Sequence, residues 1–270
     1  MTMPFASCDD WDERAHRLYE EGAYDQALEV LRDGLARFPG AAVLHTGLGY
    51  VRLAREEWIW AKHAFEQAIC CDPTDADAWV GLGETLLKFG EVERALECFS
   101  HLARPAAEEE GELHLAVGRA LCSEGLLEES RDCLRDLAEA HPNFGEAAAA
   151  LGYALHLLGE EKEARQSLRR ALWLDAELHE ARIYLAHLLY QSGSLPAALR
   201  ELERVPPQEH CDLVGIWRVI ELCRALRGWP EDDPRLAQWR ARLIELEAEP
   251  DPLDHLFAEV EAAFETSRDA

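Results

Sequence analysis

Large apolar residues return along this chain with a fixed beat. Leu31, Phe65, Phe99, Leu134, Leu168 and Leu202 stand 34 or 35 residues apart, and each follows a small residue by four positions: Ala27, Ala61, Ala95, Ser130, Ala164 and Ala198. Four residues is about one helical turn, so the small and the large member of each pair share a helix face and belong to a core. A second small series, Ala15, Gly49, Gly83, Gly118, Gly152 and Ala186, keeps the same phase. Turn glycines Gly22, Gly90, Gly125, Gly159 and Gly193 each lie five residues ahead of the first small series. The pattern predicts pairs of antiparallel helices: a first helix of about four turns, a tight glycine turn, a second helix, and often a proline that stops it. Small residues on both helices let the two backbones approach, and the large residue fills the space that remains.

Six such units cover residues 8–212, with bounds 8–41, 42–75, 76–110, 111–144, 145–178 and 179–212, and Pro39, Pro73 and Pro142 take the terminal position. Three departures stand out: Glu56 replaces the turn glycine of the second unit, Pro105 comes two residues early in the third, and Ala176 stands where the fifth would have proline. Residues 213–270 keep a degenerate form. Two amphipathic stretches, Leu213 to Arg227 and Pro234 to Leu246, read as a seventh hairpin joined by Gly228, Trp229 and an acidic turn. A last helix, about Leu253 to Phe264, carries Leu253, Leu256, Phe257, Val260 and Phe264 at spacings of three and four. It is expected to cap the array, since an open end would expose the apolar face that inner repeats hide against a neighbour. The alternative is an amphipathic segment that docks into another protein.

Trp79, Leu82, Gly83, Leu86, Gly90, Ala95 and Phe99 form the best copy of the repeat, and their W-x2-L-G-x2-Y...A-x3-F...P arrangement resembles the tetratricopeptide repeat. The resemblance covers about three quarters of the chain. It implies an all-α fold, a right-handed superhelical α-solenoid of about six helical hairpins with the degenerate seventh and a C-terminal capping helix. It also implies a concave wall built from positions 2, 5, 9 and 12 of the first helices. On that reading the peptide-binding groove is lined by Tyr50, Leu53, Val80, Glu84, Leu87, Leu115, Arg119, Tyr153, His156, Ile183, Tyr184, His187 and Tyr190. Tyrosines there offer a rigid apolar body with a polar tip. Arg119 pairs either with an acidic group of a ligand or with Glu84 or Glu112. Two specialised relatives do not fit. A carboxylate clamp of the heat-shock-tail binders would need basic and amide residues where this chain has Asp12, His16, Gly47, Asp77 and Gly81, and an asparagine ladder cannot form with Asn143 as the sole asparagine. Type III secretion chaperones are similar in being acidic and built of such repeats.

Charge narrows the partners. With 27 basic against 53 acidic side chains the chain carries -26, which repels phosphate backbones and anionic headgroups, so neither nucleic acid nor a membrane surface is expected as partner. No signal peptide opens the chain and no apolar run is long enough to span a bilayer, which predicts no membrane insertion and a cytoplasmic location. The eight cysteines lack a paired framework and read as reduced thiols. Nucleophile elbows, phosphate loops, dinucleotide turns and zinc-protease helices are missing from the sequence; His179-Glu180 begins the last of these, but Ile183 takes the place of its second histidine. Cys98 and His101 could share a helix face near a metal, yet no second pair accompanies them. No catalytic residue, cofactor or metal is therefore expected. The sequence points to a non-enzymatic scaffold or adaptor that binds an extended or helical peptide segment of a protein partner. The alternatives are a structural protein that self-assembles into homo-oligomers and a secretion-type chaperone.

Overall fold

The computed structural model describes residues 7–102, 111–210, 213–230 and 232–248; the expected C-terminal helix at 253–264 lies outside them. Among the described residues there are fourteen α-helices and no strand. They fall into two compact units, residues 1–160 and 161–270. The division passes through the turn of the fifth predicted repeat.

The first unit holds α1 (Cys8–Glu20), α2 (Tyr24–Arg37), α3 (Ala42–Ala54), α4 (Trp58–Cys71), α5 (Ala76–Lys88), α6 (Val92–Phe99), α7 (Gly111–Ser123), α8 (Leu127–Ala140) and α9 (Gly145–Leu157). Helices α1, α3, α5 and α7 each pack on their own second helix and on the next first helix, α1 on α3, α3 on α5, α5 on α7 and α7 on α9. The small-to-large interlock inferred from spacing accounts for this closeness. A Cβ placed on Gly49 would lie 2.5 Å from the Phe65 ring, on Gly83 2.3 Å from Phe99, and on Gly118 2.4 Å from Leu134. Phe65 also reaches forward: a Cβ on Gly81, in the next unit, would sit 2.2 Å from the same ring. One fully buried phenylalanine thereby joins α3, α4 and α5. Ser130, in the alanine position of the fourth unit, is tolerated there because its hydroxyl donates to the Gly118 carbonyl at 2.7 Å.

The turn of the second unit keeps its shape without glycine. Glu56 adopts φ 59° where Gly22, Gly90, Gly125, Gly159 and Gly193 adopt φ of 71–78°, and its amide still donates to Leu53 O at 3.0 Å. The left-handed conformation costs a non-glycine residue on the order of 1 kcal/mol, which the packing of α3 on α4 has to overcome.

A recurrent bond closes the repeat junctions. The fourth residue of the first helix donates back six residues to the loop carbonyl in three units: His45 Nε2 to Pro39 O at 3.0 Å, Trp79 Nε1 to Pro73 O at 2.9 Å, and an Arg182 amino group to Ala176 O at 2.7 Å. Three unlike donors thus serve the same loop carbonyl position. Ala176, in the place of the fifth unit's proline, presents the same carbonyl to a guanidinium of the sixth.

The second unit holds α10 (Glu161–Leu174), α11 (His179–Gln191), α12 (Leu195–Leu202), α13 (Leu213–Arg227) and α14 (Ala237–Ala248), with short 3-10 turns at Pro207–Glu209 and Pro234–Leu236. Helices α10 to α14 pack in sequence order apart from the 3-10 turn at Pro207–Glu209, which packs on α14. Ala164, Leu168, Ala198 and Leu202 are fully buried at the positions that the repeat assigns to the core. The degenerate seventh hairpin is present as α13 and α14, with Ile216, Val219 and Leu222 buried.

Candidate functional site

In the first unit, the exposed side of α1, α3, α5 and α7 carries two adjoining pockets. The first, about 260 Å³, is lined by Asp12, Ala15, His16, Tyr19, Leu31, Gly47, Tyr50 and Val51. The second, about 450 Å³, is lined by Leu53, Glu84, Leu87, Lys88, Ala116, Arg119, Ala120, Ser123 and Glu124. Gly47 keeps the first one open, since a Cβ there would approach Asp12 Oδ1 to 3.2 Å and Leu31 to 3.3 Å. Small organic ligands fill pockets of about 300–1,000 Å³, so the first matches a single side chain.

Cross-repeat bonds hold these walls. Tyr50 Oη donates to Asp77 O at 3.1 Å while its ring meets Phe65 edge-on at 5.1 Å. Thr46 Oγ1 donates to Asp75 at 2.7 Å, Lys88 pairs with Glu124 at 2.6 Å, and Arg119 pairs with Glu146 at 3.6 Å. Arg119 therefore reaches forward to the next first helix, to neither Glu84 nor Glu112.

Burial raises the proton affinity of several groups here. It pushes the Asp12 and Asp77 carboxyls up, and it pushes up the Tyr19 and Tyr50 hydroxyls, with Glu84 adding to the effect on both tyrosines. Glu84 itself rises from 4.5 to about 7 because it is buried, Lys88 opposing the shift. A carboxyl that holds its proton more tightly when folded contributes fully below the unfolded pKa of 4.5, and that contribution is lost as pH rises through about 7. Glu84→Gln should accordingly raise stability at pH 8 by about 1–3 kcal/mol and by clearly less at pH 5, read from urea denaturation at the two pH values. An equal effect at both would contradict the buried, protonated state.

Position 9 of the first helices reaches the surface, position 12 does so except at Leu87, and position 5 is buried in the second, third, fourth and sixth units but half-buried at Asp12 and Ala149. Val80 and Leu115 are 0% and 1% exposed and Ile183 is 4% exposed, so these three, expected on the groove wall, are core residues. Val80 accordingly joins the cluster around Phe65. Leu87 is also buried, at 4%, and shows only an edge to the second pocket. Tyr50, Leu53, Glu84, Tyr153 and His156 are half-buried, and Arg119 is exposed. Tyr19 and His16 were missed as wall residues, although they hold positions 12 and 9 of the first unit.

In the second unit Tyr184, His187 and Tyr190 are half-buried. Tyr190 Oη donates to Glu221 at 3.3 Å and the Arg218 guanidinium lies 4.6 Å over its ring. Trp217, one turn before Glu221 on α13, is 56% exposed and Val214 50%. They extend the expected wall into the seventh hairpin. The Cys98–His101 pair has a packing role: Cys98 is buried, and His101 stacks on Trp79 with ring centroids 3.8 Å apart. Among the described residues no group of three or more His, Cys, Asp or Glu could hold a metal ion, and no helix is long and apolar enough to cross a membrane.

Comparison with known proteins agrees with this architecture. Two tetratricopeptide-repeat family models match residues 60–116 and 115–178. This is a tetratricopeptide-repeat protein. Its tetratricopeptide repeats form an all-α solenoid and place it among protein-interaction scaffolds in general. The CTR9 homologue of Arabidopsis thaliana is 25% identical over 222 residues, 74% of this chain and 20% of that protein. Tetratricopeptide repeat protein 33 of Mus musculus is 32% identical over 94 residues, 32% of this chain and 36% of that protein. The chain thus spans about a fifth to a third of the length of these curated relatives. Among solved structures, Pseudomonas aeruginosa PilF superposes with a TM-score of 0.59 at 19% identity, covering 84% of this chain and 99% of that one. A chain of the APC/C hetero-tetramer Cut9–Hcn1 gives 0.61 at 15% identity over 89% of this chain and 49% of that one. These two likenesses are of tetratricopeptide fold.

Proposed function

We propose that the chain is a non-enzymatic, cytoplasmic adaptor that holds an extended segment of a partner protein along the first helices of its repeats. The supporting observation is the pair of pockets on α1, α3, α5 and α7, each apolar in part, the first rimmed by Tyr19, Tyr50 and Asp12 and the second by Glu84, Glu124, Lys88 and Arg119. A segment laid across them would bury its alternate side chains while its backbone meets polar tips, the division of labour seen in peptide recognition. Because Asp12 lines the smaller pocket, a long basic side chain is its natural complement, with its stem on Leu31 and Val51 and its cation beside Tyr19 and Tyr50. The Cut9–Hcn1 neighbour, itself a hetero-tetramer, is in keeping with a repeat chain that holds another protein.

The test is peptide selection from a displayed random library on the full chain, followed by affinity measurement on variants. Tyr19→Ala combined with Leu53→Ala should weaken the selected peptides at least tenfold, while helicity and thermal midpoint stay close to the parent. Unchanged affinity would reject the surface. Self-assembly is the second reading, and one observation favours it: Ile59 and Trp60 are 73% and 60% exposed beside Trp58 and Phe89 at the start of α4. Light scattering separates the two, since a mass that stays monomeric across concentration removes self-assembly, whereas a dimer lost on Trp60→Ser would support it.

A further inference from the structure

A second surface, in the other unit and on a different side of α11, has the opposite charge. A cleft of about 630 Å³ opens among α10, α11 and α12, lined by Arg169, Arg182, Arg200, Arg204 and Glu201 together with Leu172, Trp173, Leu185 and Leu189. Four guanidinium groups meet there in a chain of net charge -26, and the cleft contains one carboxylate to balance them. Glu201 is already shared, accepting from Arg182 at 3.0 Å and from Arg204 at 2.9 Å. Arg169 and Arg200, both exposed, form no hydrogen bond or ion pair among the described residues.

Arg182 makes the site more than a run of surface charge. It is 8% exposed, its two amino groups are spent on Glu201 and Ala176 O, and its Nε is buried with no hydrogen-bond partner at all. An orphaned donor on a buried guanidinium is costly, and the bonds to Glu201 and Ala176 O hold Arg182 in place against that cost. Trp173, 82% exposed at the cleft mouth, offers a flat apolar surface largely uncovered by the described residues.

We infer that this cleft is a docking site for an acidic segment of a partner protein, one that places carboxylates against Arg169 and Arg200 and an apolar side chain against Trp173 and Leu172. Carboxylates suit the planar guanidinium fork in two-point contact. The leucines and Trp173 call for apolar groups next to them, which a bare phosphate lacks. A nucleic acid backbone is disfavoured by the chain's overall negative field, because a long polyanion would run beyond the cleft onto repelling surface. A short acidic segment ends where the arginines end. The site does not depend on the first-helix pockets, so either can fail without the other.

The experiment is fluorescence anisotropy of the full chain with a short labelled peptide of alternating glutamate and leucine, against the same peptide with glutamine for glutamate. The glutamate peptide should bind and the glutamine peptide should bind at least tenfold more weakly. Arg169→Gln with Arg200→Gln should cost at least tenfold, the matching lysine pair should retain most of the affinity, and Arg94→Gln with Arg135→Gln, which remove the same charge from the first unit, should change nothing. The inference is overturned if the glutamate peptide fails to bind, if glutamine serves equally, if both arginine pairs cost the same, or if millimolar inorganic phosphate displaces the peptide as well as free glutamate peptide does. It is also overturned if binding appears only after truncation following Ala248, because the cleft would then belong to the chain's own acidic tail.

Discussion

Phe65→Ala will lower the stability of the first unit by about 3–5 kcal/mol, the usual cost of emptying a fully buried aromatic site. The ring has no surface exposure, lies against the backbones of Gly49 and Gly81 on two different first helices, and supports the Tyr50 ring from 5.1 Å. Its removal leaves a hole that the neighbours cannot close, because the glycines have no side chain to move into it. Urea denaturation reads the loss, and the same variant should weaken any peptide that contacts Tyr50, since that tyrosine loses its support. A cost below about 1 kcal/mol would mean that Phe65 does not join the second and third repeats.

Gly81→Ala is the second large effect, and it runs the other way in volume. The added Cβ would sit 2.2 Å from the Phe65 ring, a distance that forces the ring or α5 to shift, and overpacking of this kind costs about 1–3 kcal/mol. Gly90→Ala is a useful contrast: nothing lies within 4 Å of its Cβ, and any loss there comes from its φ of +71°. Combining Gly81→Ala with Phe65→Leu should cost less than the sum of the single changes, because the smaller side chain vacates the space that the methyl group enters. Strict additivity would place the clash elsewhere.

These two residues also mark what was legible in the sequence. The helix pairs, their turns and the small-to-large interlock depend on spacing within a repeat, and spacing is written in the chain: Gly49 to Phe65 and Gly83 to Phe99 are the same step. Rotation of one first helix against the next is not written there. That rotation buried Val80, Leu115 and Ile183 and left Tyr50 and Arg119 in view. Pairing across repeats is hidden for the same reason, so Arg119 met Glu146 on the following first helix. Tyr19 was within reach of the position rule, had the rule been carried back into the first unit. The arginine cleft was beyond it, since Arg169, Arg182 and Arg200 come from three helices and become neighbours through packing alone.

In the proposed function the first helices of the repeats, rather than the second, receive a partner's segment. Amide hydrogen exchange of the full chain, with and without a library-selected peptide at saturation, tests it most directly. Slowed exchange in α1, α3 and α5, with α4 unchanged, is the predicted result. Slowing centred on Trp58, Ile59 and Trp60, with α1, α3 and α5 unaffected, would contradict it.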